Sequence, residues 1–579
     1  MREIFSRLKL SPKQVVGLIL FMLATASAEM MLPTLLAGMI DRGIGSKSKS
    51  VIFTIAIVMA VMALVACLAN IAATRLSAKI STRFAADLRR EIFHKVQTFS
   101  AAETDKFGTA SLVTRSTSDV TNVQMFLTLL LRIGIMAPLM AVAGMVLSSA
   151  TGGKVGSVLN VAVPVLLISA GIIVIFVSRY SVSMRKKIDR LNKLFLETLE
   201  GVRVIRAFNK QEHEIERFGD ANRDYSKTAM ASGRVGGALM PVIQVIFGVT
   251  TAAVMALGSY YVSTGEMEVG ALVANSQYIS MILGAIMLLA AVIMIFPMAY
   301  ACAKRIAEVL KTESSIQDGR KTAEDKKLRG TVEFQNVTFT YPGADEPVIQ
   351  NITFETHPGE ITAIIGRTGC GKSSILKLIP RLYDATVGHV LIDGIDAKKY
   401  AVKDLRNLIG YVPQKNILFT GDVASNLNWG NENGRDAEWQ QAAEVACAKE
   451  FIERKDGTYH SEIAQGGTNL SGGQRQRMAI ARAIMKKPEI YLFDDSFSAL
   501  DMKTDKQLRS NLKQSMGDAT VIMVAQRVSS ILDADRILVI EEGKIVGNGT
   551  HKELLKNCPL YHEIAELQLG KEAIDSENE

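Results

Sequence analysis

EITAIIGRTGCGKSSILKLI (360–379) decides how the second half of this 579-residue chain folds. Its apolar run 361–365 ends in Gly366-Arg367-Thr368-Gly369-Cys370-Gly371-Lys372-Ser373, a match to G-x-x-x-x-G-K-S, and a helical pattern begins at Ser374 and runs to 382. A strand that opens through such a loop onto a helix is built to hold phosphate. The glycines let backbone N–H groups curl around a β-phosphate, and the helix N-terminus adds positive potential. Lys372 reaches the β and γ oxygens, and Ser373 ligates Mg²⁺. The glycines do not follow G-x-G-x-x-G, which disfavours a dinucleotide fold.

Outward from this loop, short apolar runs such as VEFQNVTF (332–339) alternate with helical patterns, predicting an α/β domain over 331–570. EIYLFDD (489–495) is an apolar strand ending in Asp494 and Asp495. A strand that delivers a carboxylate beside the phosphate loop is how such folds hold Mg²⁺, so Asp494 is read as the metal-side group. Leu470-Ser471-Gly472-Gly473-Gln474 opens a basic helix, RQRMAIARAIM, and offers a hydroxyl and free N–H groups at a positive helix end. The plainer reading of Ser471 is an N-cap followed by a glycine turn. Two anion-binding loops in one chain, only one of them bearing a lysine, suggest two chains meeting head to tail around ATP.

The first half is of another kind. Six stretches, 15–40, 51–73, 133–150, 158–177, 237–262 and 270–298, are apolar and long enough to cross a hydrocarbon core of about 30 Å. Lys and Arg number nine from Arg75 to Arg132 and thirteen from Arg179 to Arg234, against three, one and none in the other three connections. That asymmetry places both long connections and both termini in the cytoplasm. Within them, KISTRFAADLRREIFHKV and RKKIDRLNKLFLETLEGVRVIRAF keep apolar residues at three-and-four spacing. They predict membrane helices that continue well beyond the bilayer, each pair joined by a short turn. The expected division is a membrane domain over 1–315, a polar linker over 316–330 and the α/β domain over 331–570, with the acidic tail AIDSENE disordered.

Composition agrees. The chain is 48% apolar and 21% charged, which excludes a disordered polymer. Its net charge of +8 lies beside apolar runs, so it marks a membrane surface and not a nucleic acid. The five cysteines form no CxxC, so neither a disulfide scaffold nor a zinc site is indicated. The first apolar run lacks a small-residue cleavage site, so no removable signal peptide is expected.

Taken together these residues resemble half of an ATP-binding-cassette exporter, six membrane helices followed by one nucleotide-binding domain, over nearly the whole chain. The resemblance implies that Gly366–Ser373 is the Walker A loop with Ser374 beside it, that Walker B ends at Asp494, and that Leu470, Ser471, Gly472, Gly473 and Gln474 are the signature loop. Asp501 then closes the D-loop Ser498-Ala499-Leu500-Asp501. Tyr341, in FTYPG, matches the position whose ring stacks on adenine. Gln414, in YVPQ, matches the Q-loop that contacts Mg²⁺. FGTASLVTRSTSDV (107–120) and LEGVRVIRAFNKQEHEIERF (199–218) are similar to the two intracellular loops, with a coupling helix expected near 208–218. ATP and Mg²⁺ are the implied cofactors.

Two positions depart from the family pattern. Asp495 stands where a catalytic Glu is expected, and Gln526 stands where the switch His is expected. Asp is about 1.5 Å shorter, and a misplacement of about 1 Å can lower a rate a hundredfold. Glutamine donates a hydrogen bond but carries no proton or positive charge at neutral pH. The combination resembles the degenerate-site subunit of bacterial heterodimeric multidrug exporters. It implies a different half-transporter as partner, a small hydrophobic drug or lipid as cargo, and a multi-pass place in the inner or plasma membrane. A homodimeric exporter and an ATP-gated, channel-like protein stay open as alternatives. Glu29, a carboxylate inside the first span, is a candidate for the substrate pathway. Gln244, Asn275 and Gln277 either join it or bond between helices.

Overall fold

The structure is a computed structural model that describes residues 1–8, 11–153, 155–320 and 330–570. Part of the expected linker, 321–329, and the acidic tail lie outside the described residues. The chain divides into two compact units: Met1–Gln97 with Ala110–Thr312, and Thr98–Thr109 with Glu313–Glu579.

The first unit is all helical. Among the described residues six helices are long and apolar enough to span a membrane: Pro12–Ile44, Lys49–Gln97, Thr109–Gly152, Ser157–Glu200, Gln211–Ser263 and Val269–Lys311. Lys49–Gln97 alone has 49 residues, about 74 Å at 1.5 Å per residue, more than twice a hydrocarbon core. The expected helical extensions are therefore present. Phe53, Ile57, Leu64 and Leu68 are largely exposed on that helix, a surface suited to lipid and not to water.

Polar ties hold these helices together. Ser11 and Gln14 close a capping box at the start of the first helix. Pro33 lies inside that helix and removes one backbone donor, and nearby the Tyr278 hydroxyl donates to Met30 O at 3.2 Å and lies 2.6 Å from Thr34 Oγ1. Asp41 Oδ1 accepts from the Gly270 N–H at 2.7 Å, where a Cβ on Gly270 would strike Ala37 O. Asn275 is buried, accepts from Ser148 Oγ and donates to Ala271 O at 2.8 Å. It is an interhelical tie, the second of the two roles open to Asn275. Gln244 and Gln277 are exposed, and Glu29 is half-buried.

The most consequential tie lies in the polar extensions. Arg305 grips the buried Asp119 with two parallel bonds, Nε to Oδ2 at 2.8 Å and Nη2 to Oδ1 at 2.5 Å. Arg115 donates to the Arg305 carbonyl and to Glu308, each at 2.8 Å. Because Arg305 stays half-exposed after its partner is removed, Asp119→Ala should destabilise the first unit by about 2 kcal/mol, less than the loss of a fully buried pair. Thermal unfolding in detergent measures it.

The second long connection differs from expectation in one detail. Its short helix is Val202–Ala207, not 208–218. Gly201 ends the preceding helix, and Asn209 takes a left-handed φ of +53°. The chain can resume a helix only at Gln211, so 211–218 are the opening turns of a long one.

The second unit has two main sheets. One has four antiparallel-paired strands, among them Val332–Phe339 and Ile349–Thr356. The other has six, in the order Lys544–Gly549, Arg536–Glu541, Ile361–Gly366, Thr520–Val524, Ile490–Asp494 and Ile409–Val412. All its neighbours run parallel except the first pair. The central strands are buried on both faces, which is why they read as unbroken apolar runs. Parallel pairing brings their carboxyl ends to one edge, with Val524 beside both Ile364 and Asp494. That edge is where open α/β sheets bind ligands. This unit also takes in 98–109, which the sequence reading placed in the membrane domain. Its helix Ala101–Phe107 is capped by Ser100, and Tyr383 donates to its Asp105 at 2.6 Å.

Candidate phosphate site

The loop after Ile361–Gly366 requires its glycines. Gly366, Gly369 and Gly371 have φ of +158°, +85° and +98°. A Cβ on Gly366 would come 2.1 Å from Ile540 O, and one on Gly371 would come 2.6 Å from Ile349 Cγ2 and 2.8 Å from Val348 O. Helix Lys372–Leu378 starts two residues earlier than the sequence suggested and ends sooner. Lys372 is buried, and its ammonium donates to Gly366 O and Arg367 O at 2.8 Å each, arching over the loop. Cys370 Sγ lies beneath it at 3.7 Å. Thr368 belongs to the same loop, whereas Arg367 is exposed and paired with Glu563. Gly371→Ala forces the clash just described and a strain of about 1–3 kcal/mol. ATP affinity should fall roughly tenfold by fluorescence titration, and the same strain should lower the melting temperature by several degrees.

Beside the cradle, Ser373 Oγ donates to Asp494 Oδ1 at 2.6 Å. Burial pushes the Asp494 carboxyl up, while bonds from Ser373 and Tyr411 hold it down. Tyr411 is a member that sequence reasoning missed, although it opens the quoted YVPQ. Burial and the neighbouring Asp494 push its phenol well above the usual tyrosine range, so it stays a proton donor. Among the described residues no cluster of three or more His, Cys, Asp or Glu could hold a metal by itself. A hydroxyl, one carboxylate and the Gln414 amide fit Mg²⁺, which takes hard oxygen ligands and completes its shell with phosphate and water. There it would neutralise phosphate charge.

The two departing residues are in direct contact. Gln526 Nε2 donates to Asp495 Oδ2 at 2.8 Å, and Gln414 Nε2 reaches the same oxygen at 3.3 Å. Asp495 itself has a left-handed φ of +49°. Its carbonyl accepts from Ser498 Oγ at 3.1 Å and from Gln476 Nε2 at 3.3 Å, the second a tie the sequence did not reveal. Burial pushes the Asp495 carboxyl up, and bonds from the Gln414 amide and the Ser498 hydroxyl only partly oppose that.

Tyr341 stands next to the cradle, its hydroxyl 2.9 Å from Ser374 Oγ and its ring edge-on to Phe339 and Tyr383. Lys377 lies 5.8 Å from the ring centre.

The second loop is elsewhere in the unit. Leu470 is buried, while Ser471 accepts from Gln474 N–H at 3.3 Å and Gln474 Oε1 accepts from Ser471 N–H at 2.9 Å. This is a capping box on helix Gly472–Lys486, so the N-cap reading holds geometrically. Gly473 packs against Ala499 O of the next loop, and Asp501 caps helix Met502–Ser515 through Thr504 N–H at 3.0 Å. Among the described residues no hydrogen bond joins this loop to the cradle. The arginines of its helix serve the fold: Arg475 donates to Leu470 O and Arg482 to Asn426 O, and burial holds Arg482 down to about 10.

Comparison with known proteins bears on the family and the fold. Residues 15–287 match the model of the ABC transporter transmembrane region, and 349–498 that of the ABC transporter domain. The chain is 38% identical to the ABC transporter ATP-binding protein Rv1273c of Mycobacterium tuberculosis over 559 residues, 96% of each chain. It is 31% identical to the ATP-dependent lipid A-core flippase of Pseudomonas aeruginosa over 501 residues, 86% of this chain and 82% of that one. A solved bacterial Atm1-family ABC exporter with ATP bound superposes with a TM-score of 0.79 at 26% identity, covering 95% of this chain and 97% of that one. With six long apolar helices ahead of an α/β domain, and with both family models and a 38%-identical relative matching it, this chain belongs to the ABC transporter family, as the half-transporter of an ATP-driven exporter.

Proposed function

We propose that this chain is the degenerate-site subunit of a heterodimeric exporter, with 1–315 as its membrane part and 331–570 as its ATP-binding part. The observation behind the proposal is the Asp495–Gln526 pair. A carboxylate one methylene short, with one oxygen held by two amide donors, is poorly placed to take a proton from attacking water. Lys372, Ser373 and Asp494 keep everything that grips a nucleotide. The signature loop then completes the other composite site, for which a dissimilar partner supplies Walker A, a catalytic Glu and a switch His. ATP binding draws the cassettes together and turns the cavity outward, and hydrolysis at the partner's site resets it.

The cargo class we assign is an amphipathic drug or lipid. The flippase relatives support a lipid, and Glu29 is the candidate polar group of the pathway. Both termini and the cassette are cytoplasmic, in line with the excess of Lys and Arg in the long connections, and the membrane is the inner or plasma membrane. The test is ATPase of this chain purified alone and of the natively co-purified complex, with cargo uptake into inside-out vesicles. Low turnover alone, restored in a complex with a second half-transporter and coupled to uptake against a gradient, is expected. Brisk turnover and uptake by the lone chain would establish the homodimer instead, and downhill flux without hydrolysis the ATP-gated pore.

A further inference from the structure

The last helix described, Pro559–Leu569, reaches back to the phosphate site from the far end of the chain. Its own seat is firm, because Tyr561 and Ala565 are fully buried in the cassette core. Its polar side chains point to two different parts of the site. Glu563 pairs with Arg367 of the phosphate loop at 3.1 Å. Five residues on, Gln568 makes two backbone bonds that bracket Arg527: Nε2 donates to Gln526 O at 2.9 Å, and Oε1 accepts from the Val528 N–H at 2.7 Å. A single amide that both donates to residue 526 and accepts from residue 528 splints that turn, as a neighbouring strand would. Gln526 is the residue whose side chain then meets Asp495.

We infer that Gln568 is a positioning residue, which holds the Gln526 backbone so that its amide faces the end of the phosphate chain. The helix thus clamps the switch turn, with the Glu563–Arg367 pair as a weaker second point. The inference rests on the reading that Gly366–Ser373 holds ATP in this chain. Because Gln526 would face the γ-phosphate end whereas the loop holds the β-phosphate whether or not a γ-phosphate follows, the clamp should act on the preference for ATP over ADP and change ADP affinity little.

The test uses the full-length chain in detergent with Mg²⁺, measuring Kd for fluorescent ATP and ADP analogues and hydrogen exchange at residues 526–528. In Gln568→Ala, ATP affinity should fall five- to tenfold, ADP affinity should change by less than twofold, and exchange at 526–528 should quicken at least tenfold. Gln568→Glu keeps the acceptor and loses the donor, so it should lie between. Glu563→Gln removes only an exposed pair and should change ATP affinity by less than twofold. The exposed neighbour Leu567 serves as control through Leu567→Ala, with no change expected. Equal losses of ATP and ADP affinity in Gln568→Ala, or unchanged exchange, overturn the clamp. Exchange is read without nucleotide, so a wild-type chain that binds neither nucleotide overturns the ATP reading while the clamp is still decided.

Discussion

Ser471→Arg should lower steady-state ATPase of the assembled transporter by at least about a hundredfold, the scale on which losing a preorganised donor to transition-state charge acts. Ser471 is exposed, and among the described residues its hydroxyl bonds only within its own capping box. Losing that cap destabilises the helix by about 1 kcal/mol, too little to unfold a cassette whose helix buries Met478, Ile480 and Ala481. A bulky guanidinium at the mouth of the loop, by contrast, fills the space a partner's nucleotide would occupy. ATP binding to this chain's own cradle should be unchanged, because among the described residues no hydrogen bond joins the two loops. Fluorescent nucleotide titration and phosphate release separate the two effects. Near-normal ATPase in the variant would remove the signature assignment of 470–474.

The second large effect is a gain. Asp495→Glu combined with Gln526→His should raise the turnover of the chain purified alone by about a hundredfold, the penalty expected of a base misplaced by about 1 Å. The glutamate carboxylate regains the missing reach, and a histidine at 526 can carry the charge that an amide cannot. Single variants should recover less, because Asp495 Oδ2 is bonded to Gln526 and the two positions act as a pair. In contrast, Asp495→Asn in the native complex should do little, since turnover there arises at the partner's site. Strong ATPase by the unaltered chain, with no further gain in the double variant, would show Asp495 to be an adequate base and end the degenerate-site proposal.

How much of this was legible beforehand follows from the range of the interactions. The phosphate loop, the Walker B strand and the six spans each lie within one local stretch, so periodicity and spacing reveal them. The same holds for the helical extensions, whose apolar residues repeat at three-and-four spacing whether or not a partner is known. The break at Gly201 and Asn209 was misplaced by several residues, because the left-handed turn that sets it leaves only an ambiguous asparagine in the sequence.

Other features required the chain to fold back on itself. Asp119 meets Arg305 across 186 positions, Asp105 meets Tyr383 across 278, and Gln568 meets the switch turn across about forty. Nothing local marks Arg305 among 66 lysines and arginines, or Gln568 among the polar residues of an exposed helix face. Order along the chain was therefore enough to say what kind of machine this is and which loop carries the glycines, lysine and serine suited to phosphate. Which side chains then brace that loop depends on parallel strands delivering their ends to a common edge, and only packing in three dimensions brings such distant residues within bonding distance.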